Sequence, residues 1–128
     1  MLIKKQFRFE AAHVLPHHNG KCARLHGHSY KLEVAVAGPL RTAGPDQGMV
    51  MDFGDLSAIV KLVVLGPLDH AYLNDIVPNP TCECVLEWIS IELSKHLPLL
   101  DELVLWETAT ACAVLRPSQM LSATGSLQ

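Results

Sequence analysis

Two stretches of this chain alternate apolar and polar residues strictly enough to fix the layer each must join. In the first, Phe7, Phe9, Ala11 and His13 fall on one side, with Arg8, Glu10 and Ala12 on the other. In the second, His26, His28, Tyr30, Leu32, Val34 and Val36 share a side, opposite Ser29, Lys31 and Glu33. Side chains two apart lie on one face of a strand, so both segments read as half-buried strands with their histidines on the apolar face. Paired antiparallel, with His13 opposite the His26 to His28 stretch, they put Phe9 near Leu32 and bring three imidazoles to one end of the ribbon. Opposed Cβ atoms lie about 4.5 to 5.5 Å apart, which lets imidazole nitrogens share one ion at roughly 2.0 to 2.1 Å.

Three nitrogen ligands leave one position of a tetrahedral ion open to water or substrate, the pattern of a catalytic rather than a structural zinc. Ligand type favours zinc over copper or iron. A single histidine on an apolar face is ordinarily a hydrogen-bonded core residue, and it is the matching of His13, His26 and His28 that points to metal. His17, His18 and His96 lack such a pattern and read as surface residues.

The remaining elements follow from spacing. Residues 39 to 48 form a Gly- and Pro-bearing loop. Asp52 then stands as an N-cap before Phe53, Leu56, Ile59, Val60 and Val63, which recur at helical spacing, and Gly66-Pro67 is expected to end that helix. A second helix opens at Asn79-Pro80-Thr81, with Asn79 or Thr81 as cap, and buries Cys82, Val85, Leu86, Ile89 and Leu93. Residues 103–107 and 111–115 read as a closing hairpin. The order indicates an α+β fold, a four-stranded antiparallel sheet with two helices on one face. Such a sheet leaves two edges, which an oligomer joined edge to edge would cover.

At 128 residues and 49% hydrophobic the chain reads as one domain over residues 1–117, followed by a tail from 118 to 128. No apolar run reaches about eighteen residues, so no membrane helix is expected. No signal-peptide pattern opens the sequence, which makes the cytoplasm the expected location. A net charge of −3 argues against general nucleic-acid binding. Cys22, Cys82, Cys84 and Cys112 lack zinc-ribbon spacing and should be reduced in a cytosolic chain.

Several residues could do chemistry beside a metal. Cys22 precedes His26 by one short loop and is flanked by Lys21 and Arg24, which would favour its thiolate as base or nucleophile. The alternative makes Cys22 a fourth ligand that closes a structural site. Asp69-His70 could orient and activate a thiol, or could be a helix cap and a surface residue. Glu107, on the face of Leu103 and Leu105, could accept from adjacent N–H groups of a heterocycle such as a pterin or guanine edge, or could be an exposed strand end. Thr81 and Glu83 read, on composition, as helix-start residues.

Six motifs, in order, resemble the 6-pyruvoyltetrahydropterin synthase family: Phe9 to His13, Cys22 to His28, Gly48 to Phe53, Leu68 to Asn74, Asn79 to Glu83, and Trp106 to Thr108. The spacing from Cys22 to His26 is similar to that of the bacterial branch, which makes 6-carboxytetrahydropterin for queuosine (7-deazaguanine) synthesis. The resemblance implies a tunnelling fold, with trimers of sheets closing into a barrel and two trimers forming a homohexamer. It implies zinc on His13, His26 and His28, Cys22 as catalytic thiolate, Asp69 and His70 as proton-transfer partners from a neighbouring subunit, and Glu107 as pterin anchor. Thr81 lies in a motif of the pterin pocket, and the basic charge of Lys21 and Arg24 makes these two the expected contacts of the triphosphate. The implied reaction converts 7,8-dihydroneopterin triphosphate into 6-carboxytetrahydropterin, acetaldehyde and triphosphate. Its rivals are triphosphate elimination without side-chain cleavage and a non-catalytic zinc-bound oligomer; a zinc hydrolase would need a glutamate base that does not accompany these histidines. Cys84, where asparagine is common, and Ala109, where proline is usual, depart from the family beside the pocket.

Overall fold

The computed structural model describes residues 1–119. Strand β1 (Leu2–His13) pairs antiparallel with β2 (His26–Ala37), and the loop between them carries a short 3-10 turn, Lys21–Ala23. Helix α1 (Phe53–Val60) runs into a π-helical turn (Lys61–Leu65) and a last helical turn, α2 (Gly66–Leu68). Strand β3 (Ala71–Tyr72), helix α3 (Cys82–Ser94), and the hairpin of β4 (Leu100–Trp106) and β5 (Cys112–Leu115) follow. The part of the expected tail from residue 120 onward lies outside the described residues. Among the described residues no helix is long and apolar enough to cross a membrane.

The sheet has five strands in the order β3-β1-β2-β4-β5, one more than the sequence reading. The four expected strands are antiparallel. The fifth, β3, is parallel to β1 over Ala11↔Ala71 and Ala12↔Tyr72. Two residues cannot show an alternation, so nothing in the local sequence marks this strand. It is held in place just before it begins, where the Glu10 amide donates to the Asp69 carboxylate at 2.9 Å and the His70 amide to the Glu10 carbonyl at 2.6 Å. His70 takes φ 61° to make this contact.

The first helix also departs from expectation, because Gly66-Pro67 does not end it. The Gly66 amide donates to the Lys61 carbonyl, an i to i−5 bond, and this wider turn delivers Pro67 to the start of a fresh helical turn, where no amide is required of it. The chain leaves the helix at Asp69, whose backbone is extended. Asp52 caps the other end as expected, accepting from the amides of Gly54 and Asp55 at 2.6 and 3.2 Å. Asp52→Ala is therefore expected to cost about 1 kcal/mol in urea unfolding and to leave the histidine cluster unchanged.

The helices cover one face of the sheet. Phe7, Phe9, Tyr30, Leu32 and Val34 from β1 and β2 meet Leu56, Val60 and Val64 of the first helical segment and Val85, Leu86, Ile89 and Leu93 of α3. Phe9 stacks on Tyr30 with centroids 4.9 Å apart. Phe9 is paired directly with Tyr30, and Phe7 with Leu32, so Leu32 lies two residues from where the sequence placed it. A two-residue difference in register keeps each side chain on its face, so the apolar assignment survives.

Candidate metal centre and active site

The strand ends assemble the site. His13 closes β1 and is paired with His26, which opens β2, while His28 is paired with Ala11. His13 is 1% exposed and the other two are half-buried. One nitrogen from each ring lies within 4.8 Å of the other two, and the rings meet edge-on with centroids 4.5 to 5.1 Å apart. Among the described residues this group contains no thiol or carboxylate.

The tautomers follow from the neighbours. His13 Nδ1 lies 2.7 Å from the Pro80 carbonyl oxygen, and His26 Nδ1 lies 2.7 Å from that of Arg24. A carbonyl only accepts, so each Nδ1 carries the proton and each Nε2 presents a bare lone pair. Those two Nε2 atoms are 2.9 Å apart, an arrangement that repels unless a cation or a proton sits between them. The third, His28 Nε2, is buried without a hydrogen-bond partner. Burial holds the His28 imidazole below its ordinary pKa, with Glu107 opposing and His13 and His26 adding to the effect. Neutral imidazoles with one nitrogen fixed by a backbone carbonyl are the form that binds a metal, and the residues fit one.

Glu107 is the first residue past β4 rather than its last. Its carboxylate lies 4.0 Å from His28 Nε2, and its amide donates to the Ala111 carbonyl. Cys22 sits half-buried in the 3-10 turn, where its carbonyl accepts from the Leu15 amide and closes the loop. Arg24 ends that turn, is exposed, and contributes its carbonyl to His26; Lys21 is exposed at the start of the turn. Thr81 caps α3, its hydroxyl accepting from the Cys84 amide at 3.1 Å. The segment that starts α3 thus also holds His13, through Pro80.

Asp69 and His70 face each other despite being adjacent, with His70 Nδ1 3.1 Å from the Asp69 carboxylate. The Glu10 amide holds the Asp69 carboxyl below the usual carboxylate range; burial opposes it and His70 adds to it. Their side chains are 39% and 78% exposed, at the sheet edge beside β1. His70 shares with Glu10, Gly27, His28 and Ser29 the wall of an open recess of about 380 Å³. No hydrogen bond or ion pair within the chain joins Cys22 to either residue among those described.

Three contributors were not read from the sequence. Two are the carbonyls of Pro80 and Arg24, which as backbone groups carry no residue signature. The third is Tyr30, fully buried, edge-on to His28, with its hydroxyl unpartnered. Burial, then the charges of Glu107 and Cys82, push its phenol well above the ordinary value. Its place on the histidine face of β2 was the only available signal. Cys82 is set apart from this chemistry, since burial and then the nearby Glu107 and Glu83 push its thiol up to about 12 and its Sγ donates to the Leu105 carbonyl.

Comparison with known proteins decides the family, because the model described as 6-pyruvoyl tetrahydropterin synthase matches residues 2–118. The chain belongs to that family. The 6-carboxy-5,6,7,8-tetrahydropterin synthase of Synechocystis sp. is 47% identical over 116 residues, covering 88% of this chain and 90% of its own. The dihydroneopterin monophosphate aldolase of Pyrococcus furiosus is 42% identical over 102 residues, covering 77% of this chain and 82% of its own. The solved structure of 6-pyruvoyl tetrahydropterin synthase from Caenorhabditis elegans superposes with a TM-score of 0.80 at 25% identity, covering 91% of this chain and 94% of the other. The fold is therefore the tunnelling fold, and the chain is a pterin synthase by family.

Proposed function

We propose that this chain is a zinc-dependent 6-carboxytetrahydropterin synthase, converting 7,8-dihydroneopterin triphosphate and water to 6-carboxy-5,6,7,8-tetrahydropterin, acetaldehyde and triphosphate in cytoplasmic queuosine synthesis. The observation that carries the reading is the convergence of the His13, His26 and His28 nitrogens beside Glu107, two of them pinned as bare Nε2 by backbone carbonyls. The name and the 47% identity of the Synechocystis relative point to the same product.

Zinc held by these three histidines would act as a Lewis acid on the side-chain oxygens of the substrate. The chain's own groups have separable tasks. Glu107 offers two acceptor oxygens to the N–H edge of the ring, and Thr81, whose oxygen already accepts from Cys84, keeps its O–H free to donate. Cys22 takes and returns protons along the side chain. Asp69 fixes the His70 ring, and His70 relays the proton. The exposure of that pair at the sheet edge suits service to a neighbouring subunit, as do the outer side of β1 beyond its two residues paired with β3 and the outer side of β5, and a homohexamer of two trimers would use both. Arg24, with Lys21, is assigned to the triphosphate.

The Pyrococcus furiosus relative supports a second reading, cleavage of a dihydroneopterin monophosphate. Mass spectrometry of the pterin products, with an aldehyde assay, separates the possibilities. A 6-carboxy product with acetaldehyde is expected from the triphosphate substrate. A 6-pyruvoyl product without acetaldehyde, or turnover confined to the monophosphate, would overturn the proposal.

A further inference from the structure

The face of the sheet away from the helices carries an unresolved charge. Arg8 on β1 is paired directly with Lys31 on β2, and Lys31 is in turn paired with Trp106 on β4, so one rung across three strands reads cation, cation, indole. Like charges directly opposed across a strand pair are destabilising. Carboxylates are at hand on the same face, yet they are turned to neutral donors: Glu10 accepts from the Ser29 hydroxyl at 2.7 Å, and Glu33 from Gln6 Nε2 at 2.9 Å and Trp106 Nε1 at 3.4 Å. Among the described residues neither Arg8 nor Lys31 enters an ion pair. In a chain of net charge −3, two opposed cations left uncompensated beside two such carboxylates are an arrangement that an anion would complete.

The shape agrees with the charge. Arg8, Ser29, Lys31, Trp106, Thr108 and Ala109 enclose a recess of about 300 Å³, and Lys31 Nζ lies over the Trp106 ring at 5.1 Å from its centroid. The indole thus holds the ammonium without neutralising it. Arginine offers a planar fork that suits phosphate oxygens, lysine a point charge, and Thr108 a hydroxyl. We propose that this recess binds a polyphosphate anion, between the opposed Arg8 and Lys31 side chains and against the wall formed by Trp106 and Thr108. The anion has two sources, a free polyphosphate or the triphosphate tail of the substrate, the latter in place of its assignment to Arg24 and Lys21, and the chemistry of recognition is the same for both.

The proposal does not depend on the reaction assigned above: a chain that binds inorganic triphosphate but turns over no pterin would leave it standing. Titration calorimetry of the full chain with inorganic triphosphate is the test. Wild type is expected to bind, more weakly as salt rises, and Arg8→Gln and Lys31→Gln are each expected to weaken binding by roughly tenfold or more. Arg116→Gln, which removes one charge from a site paired with Asp101 and Glu102, should bind as wild type does. Without the anion, Arg8→Gln should melt at or above the wild-type temperature, which keeps lost binding distinct from lost folding. Absence of binding in wild type, or equal affinity in wild type, Arg8→Gln and Lys31→Gln, would overturn the proposal. The source is read from Arg8→Gln kinetics. A KM raised for the triphosphate substrate and not for its dephosphorylated form places the substrate tail in the recess, whereas unchanged KM with lost triphosphate binding assigns the recess to a free anion.

Discussion

Replacing His28 with alanine is expected to release the metal and to lower kcat by roughly a thousandfold, the equivalent of about 4 kcal/mol of transition-state stabilisation. His28 Nε2 is buried without a hydrogen-bond partner, Glu107 being 4.0 Å away, and a two-histidine remnant would bind zinc far more weakly. The fold should persist, because His28 stands near the start of β2, outside the apolar cluster that Tyr30, Leu32 and Val34 anchor. Metal analysis after dialysis, with circular dichroism as the control, checks both halves. An alanine variant that kept one equivalent of metal per chain would remove His28 from the site.

Cys22→Ala is expected to do the opposite to the metal and the same to turnover. The thiol lies outside the group of nitrogens that can share an ion, so zinc content should stay at the wild-type level. Loss of a proton-transfer group should lower kcat by about 10² to 10⁴. Cys22 is half-buried in a 3-10 turn with no buried residue, so its loss should shift the melting temperature little. Zinc loss or unfolding in this variant would instead mark Cys22 as a structural ligand and return the chain to the non-catalytic reading.

The parts of this arrangement that the sequence displays are those that repeat. β1 and β2 alternate because each is buried on one face only, and that alternation placed three histidines on the apolar side before any register was known. The caps at Asp52 and Thr81 were legible because their side chains do the capping. What stayed hidden lacks a side-chain signature or depends on register. The tautomers of His13 and His26 are set by backbone carbonyls. Strand β3 is too short to alternate, and a π-helical turn carries the first helix through Gly66-Pro67. The opposition of Arg8 and Lys31 exists only once Phe9 is known to face Tyr30. Asp69 and His70 were legible as a pair of residue types, while their contact required the positive φ of His70 and the anchoring of Asp69 by the Glu10 amide.

X-ray absorption at the zinc edge of the metal-loaded protein reads the ligand set directly. Three nitrogen scatterers and one oxygen at roughly 2.0 to 2.1 Å are expected, with the oxygen replaced or displaced when a pterin substrate analogue is added. A sulfur scatterer at about 2.3 Å would instead place Cys22 on the metal, close the position that substrate must occupy, and contradict the catalytic assignment.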